Sequence, residues 1–524
     1  MSDVHEHGIA RGLTNYGDRA FALYLRRSFI KSMGYSTALL ERPIVGIASS
    51  GSGFNNCHRA MPELVEAVKR GVLAAGGLPI EFPTISLGEV FLNPTSLMFR
   101  NLMSMDVEEM VRAQPMDSVV LVGGCDKTVP AQLMGAAAAD VPAIQLVTGP
   151  MMTGRHEGER LGACTDCRRF WGSFRAGKID RRTIDVVEGR LATTAGTCAV
   201  MGTASTMACI AEALGMSLPG TAAIPAVHAD RLRAAEASGA AAVQLIHAPI
   251  RPSQVITPRS VENALRVLLA LGGSTNAIIH LTAIAGRLNI PVSLRRLNEL
   301  SDETPVLVNL KPTGEHYMED FYAAGGMSAL LRELRPLLHL DTLTVTGESL
   351  GQRLAAEADA WVDHRVIRPA HDPIEAVGGL VALFGSLAPG RGDPQAIGRG
   401  QEPVREGGSR GRLQLAGGPE RTRRRPRPGH PGGRHHGAAE RRPDQRVRHA
   451  GGRLPADPPQ AGAAGRAGHG SHLGCAHERD RLRHHRAARD ARVGCGRTPG
   501  PGAQRRPHPP VGTAAPGGLA GRRR

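Results

Sequence analysis

After Pro389 the chain has no Phe, Tyr, Trp, Met or Lys, and its only Ile is Ile397. All 17 aromatic residues of the 524-residue chain therefore precede that point. Gly, Pro, Arg, Ala and His dominate the remainder, which cannot bury enough apolar surface to offset its conformational entropy. A packed domain is excluded there, and a basic tail without stable structure is expected over 390–524. Nowhere does an apolar run approach the roughly 20 residues of a membrane-spanning helix. The opening MSDVHEHGIARG lacks the basic-then-apolar pattern of a secretory signal. Eight cysteines at irregular spacing do not read as a disulfide framework in a chain of this size. A cytoplasmic protein is expected.

The charge is as unevenly distributed as the aromatics. From Arg391 onward there are 29 Arg and 10 acidic residues, a net +19, whereas the first 390 residues carry 35 Lys plus Arg against 38 acidic residues, a net −3. The tail thus accounts for the whole formal charge of +16. Taken by itself, it is a segment that would bind nucleic acid non-specifically.

The first 389 residues are an α/β sequence. RPIVGIASS (42–50), DSVVLVGG (117–124) and VPAIQLVTG (141–149) are β-branched runs expected as strands. Helical periodicity fills 60–77, 130–139, 203–216 and 260–273. Strands alternating with helices predict a parallel sheet with crossover helices.

Three cysteines fall in loops where strands are expected to hand over to helices: SSGSGFNNCHRA (49–60), VGGCDKTVPA (122–131) and TTAGTCAVMGTAST (193–206). Ligands of parallel α/β folds bind beyond the carboxyl ends of strands, and a helix N-terminus favours a thiolate. Spacing alone does not bring Cys57, Cys125 and Cys198 together, and each taken singly is better explained as a small buried residue than as a ligand. ACTDCRRFW (163–171) holds a C-x-x-C pair, Cys164 and Cys167, without the two further ligands a zinc site needs. A structural or loop role is expected for the pair, and Asp166 and Arg168 are candidates for substrate contact. Cys209, inside an apolar helical run, is expected in the core. In GGSTNA, Ser274, Thr275 and Asn276 either contact a ligand or cap a helix.

Longer motifs give these residues a context. GGCDKTVPAQLMGAA, GTASTMACIAEALGMSLPG, GGSTNAIIHLTAIAGR (272–287), LKPTGEHYMEDFYAAGG (310–326) and EFPTISLGE (81–89) resemble the dihydroxy-acid/6-phosphogluconate dehydratases over nearly all of residues 10–389. The resemblance implies a 2Fe–2S cluster on Cys57, Cys125 and Cys198 with one open iron position. It also implies Mg²⁺ on Glu89, Asp126 and a carbamylated Lys127, since hard oxygen donors suit Mg²⁺ and thiolates suit iron. The family removes water from a 2,3-dihydroxy carboxylate. Hydroxide is a poor leaving group, so a Lewis acid is needed at the β-oxygen and a cation at the enolate-like charge. A serine of an SDGR-x-SG-type motif takes the α-proton.

That serine motif is missing in this frame, as is a GMPEAG glutamate that supplies the family's fourth magnesium ligand. Starting each tail codon one base later, the codons allowed by residues 392–398 read AILKRSA, those of 448–455 read GMPEAGYL, and those of 473–479 read SDARMSG. The family's motifs therefore return in order, with Gly451 and Gly452 overlapping the glutamate codon and Glu478 the serine codon. A reading-frame shift just after Pro389 is expected, which replaces the family's β-barrel-like C-terminal domain and leaves this chain inactive.

The substrate expected is an aldonic acid, because CTDCRRFW and EFPTISLGE are more like the sugar-acid branch than the branched-chain biosynthetic one. At full length a homo-oligomer, dimer or tetramer, is expected. The rival reading is a non-catalytic binding protein whose tail engages nucleic acid.

Overall fold

The computed structural model describes residues 7–384 and 396–398. Of the tail expected to lack structure, only Ala396–Gly398 is described, and contrary to that expectation it forms a short strand antiparallel to Leu380–Ala382; the boundary at 389 and the lost serine near Glu478 concern residues outside the described ones.

Four strands form one all-parallel sheet: β1 (Ile44–Ser49), β2 (Leu78–Pro83), β3 (Ser118–Gly123) and β4 (Ala143–Val147), in the order β2-β1-β3-β4. Val119, Val120, Leu121 and Val122 are wholly buried. A continuous apolar run of this kind marks a strand covered on both faces, and each such side chain contributes about 1.5–3 kcal/mol by leaving water. The crossovers are α1 (Met61–Ala74), α2 (Ser96–Ala113) and α3 (Thr128–Ala139). Helix α1 packs beside a later helix, Ala229–His247, and α2 beside α3. Gly71 is needed in the first pairing because a Cβ there would fall on the Glu236 carbonyl.

Polar side chains stitch the middle of the sheet. Gln145 Nε2 donates to Gln132 Oε1 at 2.9 Å and to the Leu121 carbonyl at 3.0 Å, while Gln132 Nε2 donates to the Val122 carbonyl at 3.0 Å. Both glutamines are buried, so these bonds spare groups that would otherwise be costly.

The strand order places the site. From β1 the chain moves outward to β2, then crosses back to β3 and continues to β4, so the direction of winding reverses between β1 and β3. A crevice opens beyond the carboxyl ends of strands at such a switch point. The loops after β1, β2 and β3 carry Cys57, Glu89 and Cys125.

Candidate functional site

Three hydrogen bonds between side chains and loops join those loops in a closed ring. Asn55 Nδ2, in the loop after β1, donates to the Leu87 carbonyl in the loop after β2 at 2.9 Å. The next is made by His58: its Nε2 accepts from Gly124 N–H, after β3, at 2.9 Å, and its Nδ1 faces the Ser50 carbonyl at 2.6 Å. One ring nitrogen thus accepts and the other donates, which fixes the neutral tautomer. Burial holds the His58 pKa below the ordinary value, against the pull of these two backbone partners. Lys127 Nζ closes the ring on Glu89 Oε1 at 3.0 Å.

Cys57 and Cys125 are thereby brought near enough to perturb each other, Cys125 raising the Cys57 thiol and Cys57 lowering that of Cys125. Burial and the nearby charges of Cys125, Cys198 and Asp126 add to the rise at Cys57. Cys125 is buried with a backbone φ of +66°, a left-handed conformation unusual for a side chain of this size. Gly124 before it leaves no room for a Cβ, which would fall on Thr148 Oγ1.

Cys198 arrives by a different route from the one expected. No strand precedes it: a single parallel bridge pairs Thr197 with Pro150, just beyond β4, and the helix Thr203–Ala213 follows. The stretch 193–198 includes two small residues, Ala195 and Gly196, and gains its backbone bonds from the Gly149–Met151 segment instead, Thr197 N–H to the Gly149 carbonyl at 2.9 Å and Met151 N–H to the Thr197 carbonyl at 2.9 Å.

Beside the thiols lies an oxygen-rich group. Lys127 is only 5% exposed, with Asp126 Oδ2 at 3.6 Å in addition to Glu89. The Asp126 carboxyl is raised by burial and by Glu89, while Lys127 and the Ala204 N–H act in the opposite direction. Glu89 Oε2 is buried and has no hydrogen-bond partner. His280, also buried, lies close enough to feel the charges of Arg100 and Lys127; burial above all pushes its pKa down to about 3. Among the described residues, no three His, Cys, Asp or Glu side chains are gathered around one point as a single ion would require. The oxygen donors are two, Glu89 and Asp126, with the Lys127 nitrogen between them.

The remaining candidates are placed as follows. Asp166 is buried and engaged, accepting from Gly162 N–H at 2.8 Å and Tyr317 OH at 3.0 Å, with Arg169 Nε at 3.1 Å and Lys311 Nζ at 3.7 Å. This network fixes the start of helix Thr165–Arg175. Arg168 is exposed on the same helix, beside Cys167. Ser274 Oγ meets Thr203 Oγ1 at 2.8 Å, and Asn276 Nδ2 donates to Thr203 Oγ1 at 3.2 Å. The GGSTNA loop is thus tied to the helix that follows Cys198, and Thr275 precedes its own helix, Asn276–Gly286, without a side-chain cap. Cys209 is wholly buried, as expected.

Residues 42–353 match the family described as dihydroxy-acid/6-phosphogluconate dehydratase N-terminal. The chain is 46% identical over 370 residues to an L-arabonate dehydratase of Azospirillum brasilense, covering 70% of this chain and 63% of that one. It is 41% identical over 375 residues to a 6-deoxy-6-sulfo-D-gluconate dehydratase of Pseudomonas putida, covering 71% and 64%. Identity to a dihydroxy-acid dehydratase of Caldicellulosiruptor saccharolyticus is 41% over 373 residues, covering 70% and 67%. The matched stretch is thus about two thirds of these relatives' own length, less in the first two. By its matched domain and by these identities, the chain belongs to the dihydroxy-acid/6-phosphogluconate dehydratase family.

Proposed function

We propose that the first 389 residues are the cluster- and metal-holding half of a hydro-lyase that converts a 2,3-dihydroxy carboxylate, an aldonic sugar acid, to a 2-oxo-3-deoxy acid. The observation that carries this reading is the buried Lys127, set between Glu89 and Asp126 and two residues after the buried Cys125. On the loop after β3 a soft thiol, Cys125, is followed directly by the hard-oxygen candidate Asp126 and by Lys127, the kinds of donor iron and Mg²⁺ would each require.

The residues fit both groups. Cys57, Cys125 and Cys198 would hold a 2Fe–2S cluster; with three thiolates for two irons, one iron keeps a free position. Glu89 has a buried oxygen in need of a partner. Carbamylation of Lys127 would turn its positive charge negative beside two carboxylates, an arrangement stable only around a divalent cation. When bound, the cluster would supply Lewis acidity toward the β-hydroxyl and Mg²⁺ would offset the charge of the carboxylate and of the enolate-like species.

This chain's own residues set the geometry. His58 and Asn55 hold the three loops in register. Asp166, through Tyr317 and Lys311, fixes the helix start beside Cys198, where Arg168 is available to an anionic substrate. Ser274 and Asn276 border the start of the helix after Cys198, Thr203–Ala213, and with Thr275 are candidates for binding substrate hydroxyls. The base belongs to the shifted frame, so the 524-residue chain is expected to bind metals without turning over. The sugar-acid assignment is supported by the 46% identity to an L-arabonate dehydratase. A cytoplasmic location accords with the finding that no described helix is long and apolar enough to cross a membrane.

The test is 2-oxo acid formation from pentonates, hexonates and a branched-chain dihydroxy acid, by this chain and by a frame-restored one. The restored protein should act on an aldonate and the 524-residue chain on none. No turnover of any dihydroxy acid by the loaded, restored protein would overturn the hydro-lyase reading.

A further inference from the structure

The C-x-x-C pair lies against one of the three site cysteines. Cys164 Sγ is 3.1 Å from Cys198 Sγ, inside ordinary sulfur–sulfur contact. Backbone pairing holds them there, since the Ala199 N–H donates to the Ala163 carbonyl at 3.1 Å, one residue from each thiol. Cys167 Sγ donates to the Cys164 carbonyl at 2.6 Å. Cys164 is exposed, and Cys198 and Cys167 are half-buried. Cys164 thus touches the Cys198 thiol, lies one helical turn from Cys167 and is open to solvent.

We propose that Cys164, Cys167 and Cys198 form a thiol–disulfide exchange site for low-molecular-weight disulfides, which withdraws Cys198 from metal binding whenever the cluster is absent. A disulfide bond is about 2.05 Å long, so the Cys164–Cys198 contact need shorten by only about 1 Å.

The exchange balances without further reagents. Cys164, as thiolate, attacks one sulfur of a small disulfide RSSR; a Cys164–SR mixed disulfide forms and RS⁻ leaves, taking up the proton that Cys164 gave to solvent. Cys198 then attacks Cys164 Sγ, forming the Cys164–Cys198 disulfide and releasing a second RSH. Two cysteines are oxidised and RSSR is reduced to two RSH. Attack by Cys167 on Cys164 Sγ moves the bond to Cys164–Cys167 and frees Cys198 with no net change of oxidation state. Cluster-bound Cys198 has no free sulfur to offer, so loading and oxidation exclude each other. That last consequence rests on the cluster reading above; the exchange itself does not.

The full 524-residue chain, stripped of metal and reduced, is treated with oxidised glutathione, alkylated and digested with trypsin without reductant. A linked pair of peptides, 161–168 and 191–231, is expected, two hydrogens lighter than their sum. Alkylation of Cys198 should fall about tenfold. Cys164→Ser should abolish the link, and Cys209→Ser should leave it. Cys167→Ser should increase it, because the bond can no longer move on. Glutathione attached to Cys164 with Cys198 still fully alkylated would overturn the proposal, as would a link that survives Cys164→Ser. Iron and sulfide uptake by the same samples separates the two readings. If the reduced chain takes up a cluster and the linked one does not, both stand. If neither takes one up while the linked peptide forms, the cluster reading fails alone.

Discussion

His58 Nε2 accepts the Gly124 N–H at 2.9 Å, so the residue after one site cysteine is bonded to the residue before another. Its Nδ1 meets the Ser50 carbonyl at 2.6 Å. Replacing the ring by Leu would leave that N–H and that carbonyl buried and unpaired, at about 1–3 kcal/mol for each. His58→Leu is therefore expected to lower the urea midpoint and, in refolded protein, the iron bound per chain. Unchanged stability and iron content would show that the loops hold their register without the imidazole.

Cys125 and Asp126 stand next to each other in one loop, but sulfur and oxygen donors serve different metals, so their losses should separate. In the frame-restored chain, Glu89→Gln and Lys127→Ala are each expected to keep most of the visible absorption of the cluster and to lose most dehydration activity. Added Mg²⁺ should rescue Glu89→Gln in part, because the other ligands remain, and Lys127→Ala less. Near-normal turnover of either variant without added metal would assign these residues a structural role.

Away from the site, Glu262 lies between Arg296 Nε and His339 Nε2, each at 2.8 Å. Arg296 above all, with His339, holds its carboxyl down at about 2, against an ordinary 4.5. For a carboxyl depressed on folding, the stabilisation is complete above the unfolded pKa and is lost as pH falls through the folded one. Glu262→Gln should therefore cost stability at neutral pH and progressively less from about pH 4.5 down to about pH 2. Parallel pH profiles of the two proteins, measured by urea unfolding, would contradict this.

The gene itself supplies a check. With one base removed after the Pro389 codon, it is expected to encode AILK, GMPEAG and SDARMSG in that order. A stop codon or unrelated sequence in that frame would refute the shift.

Much of the fold was legible because the apolar runs are continuous. Ile44–Ser49, Ser118–Gly123 and Ala143–Val147 fall inside the three strands expected. The fourth, Leu78–Pro83, contains two prolines, Pro79 and Pro83. The sheet order explains its tolerance: it is an edge, where a missing N–H costs no ladder bond. Strand order, and with it the switch point between β1 and β3, depends on long-range packing that no local pattern encodes. At the site, motif resemblance singled out the thiols and carboxylates, but nothing marked Asn55 and His58, which look like ordinary loop polarity in NNCHR. The S···S contact of Cys164 with Cys198 was equally hidden, since 34 residues separate them.

The most direct test of the account is the iron and acid-labile sulfide content, with the visible spectrum, of the frame-restored chain purified without oxygen. Cys57→Ser, Cys125→Ser and Cys198→Ser are each expected to abolish a 2Fe–2S centre, whereas Cys209→Ser should leave it in place. A full cluster retained in all three of the first variants would contradict the assignment.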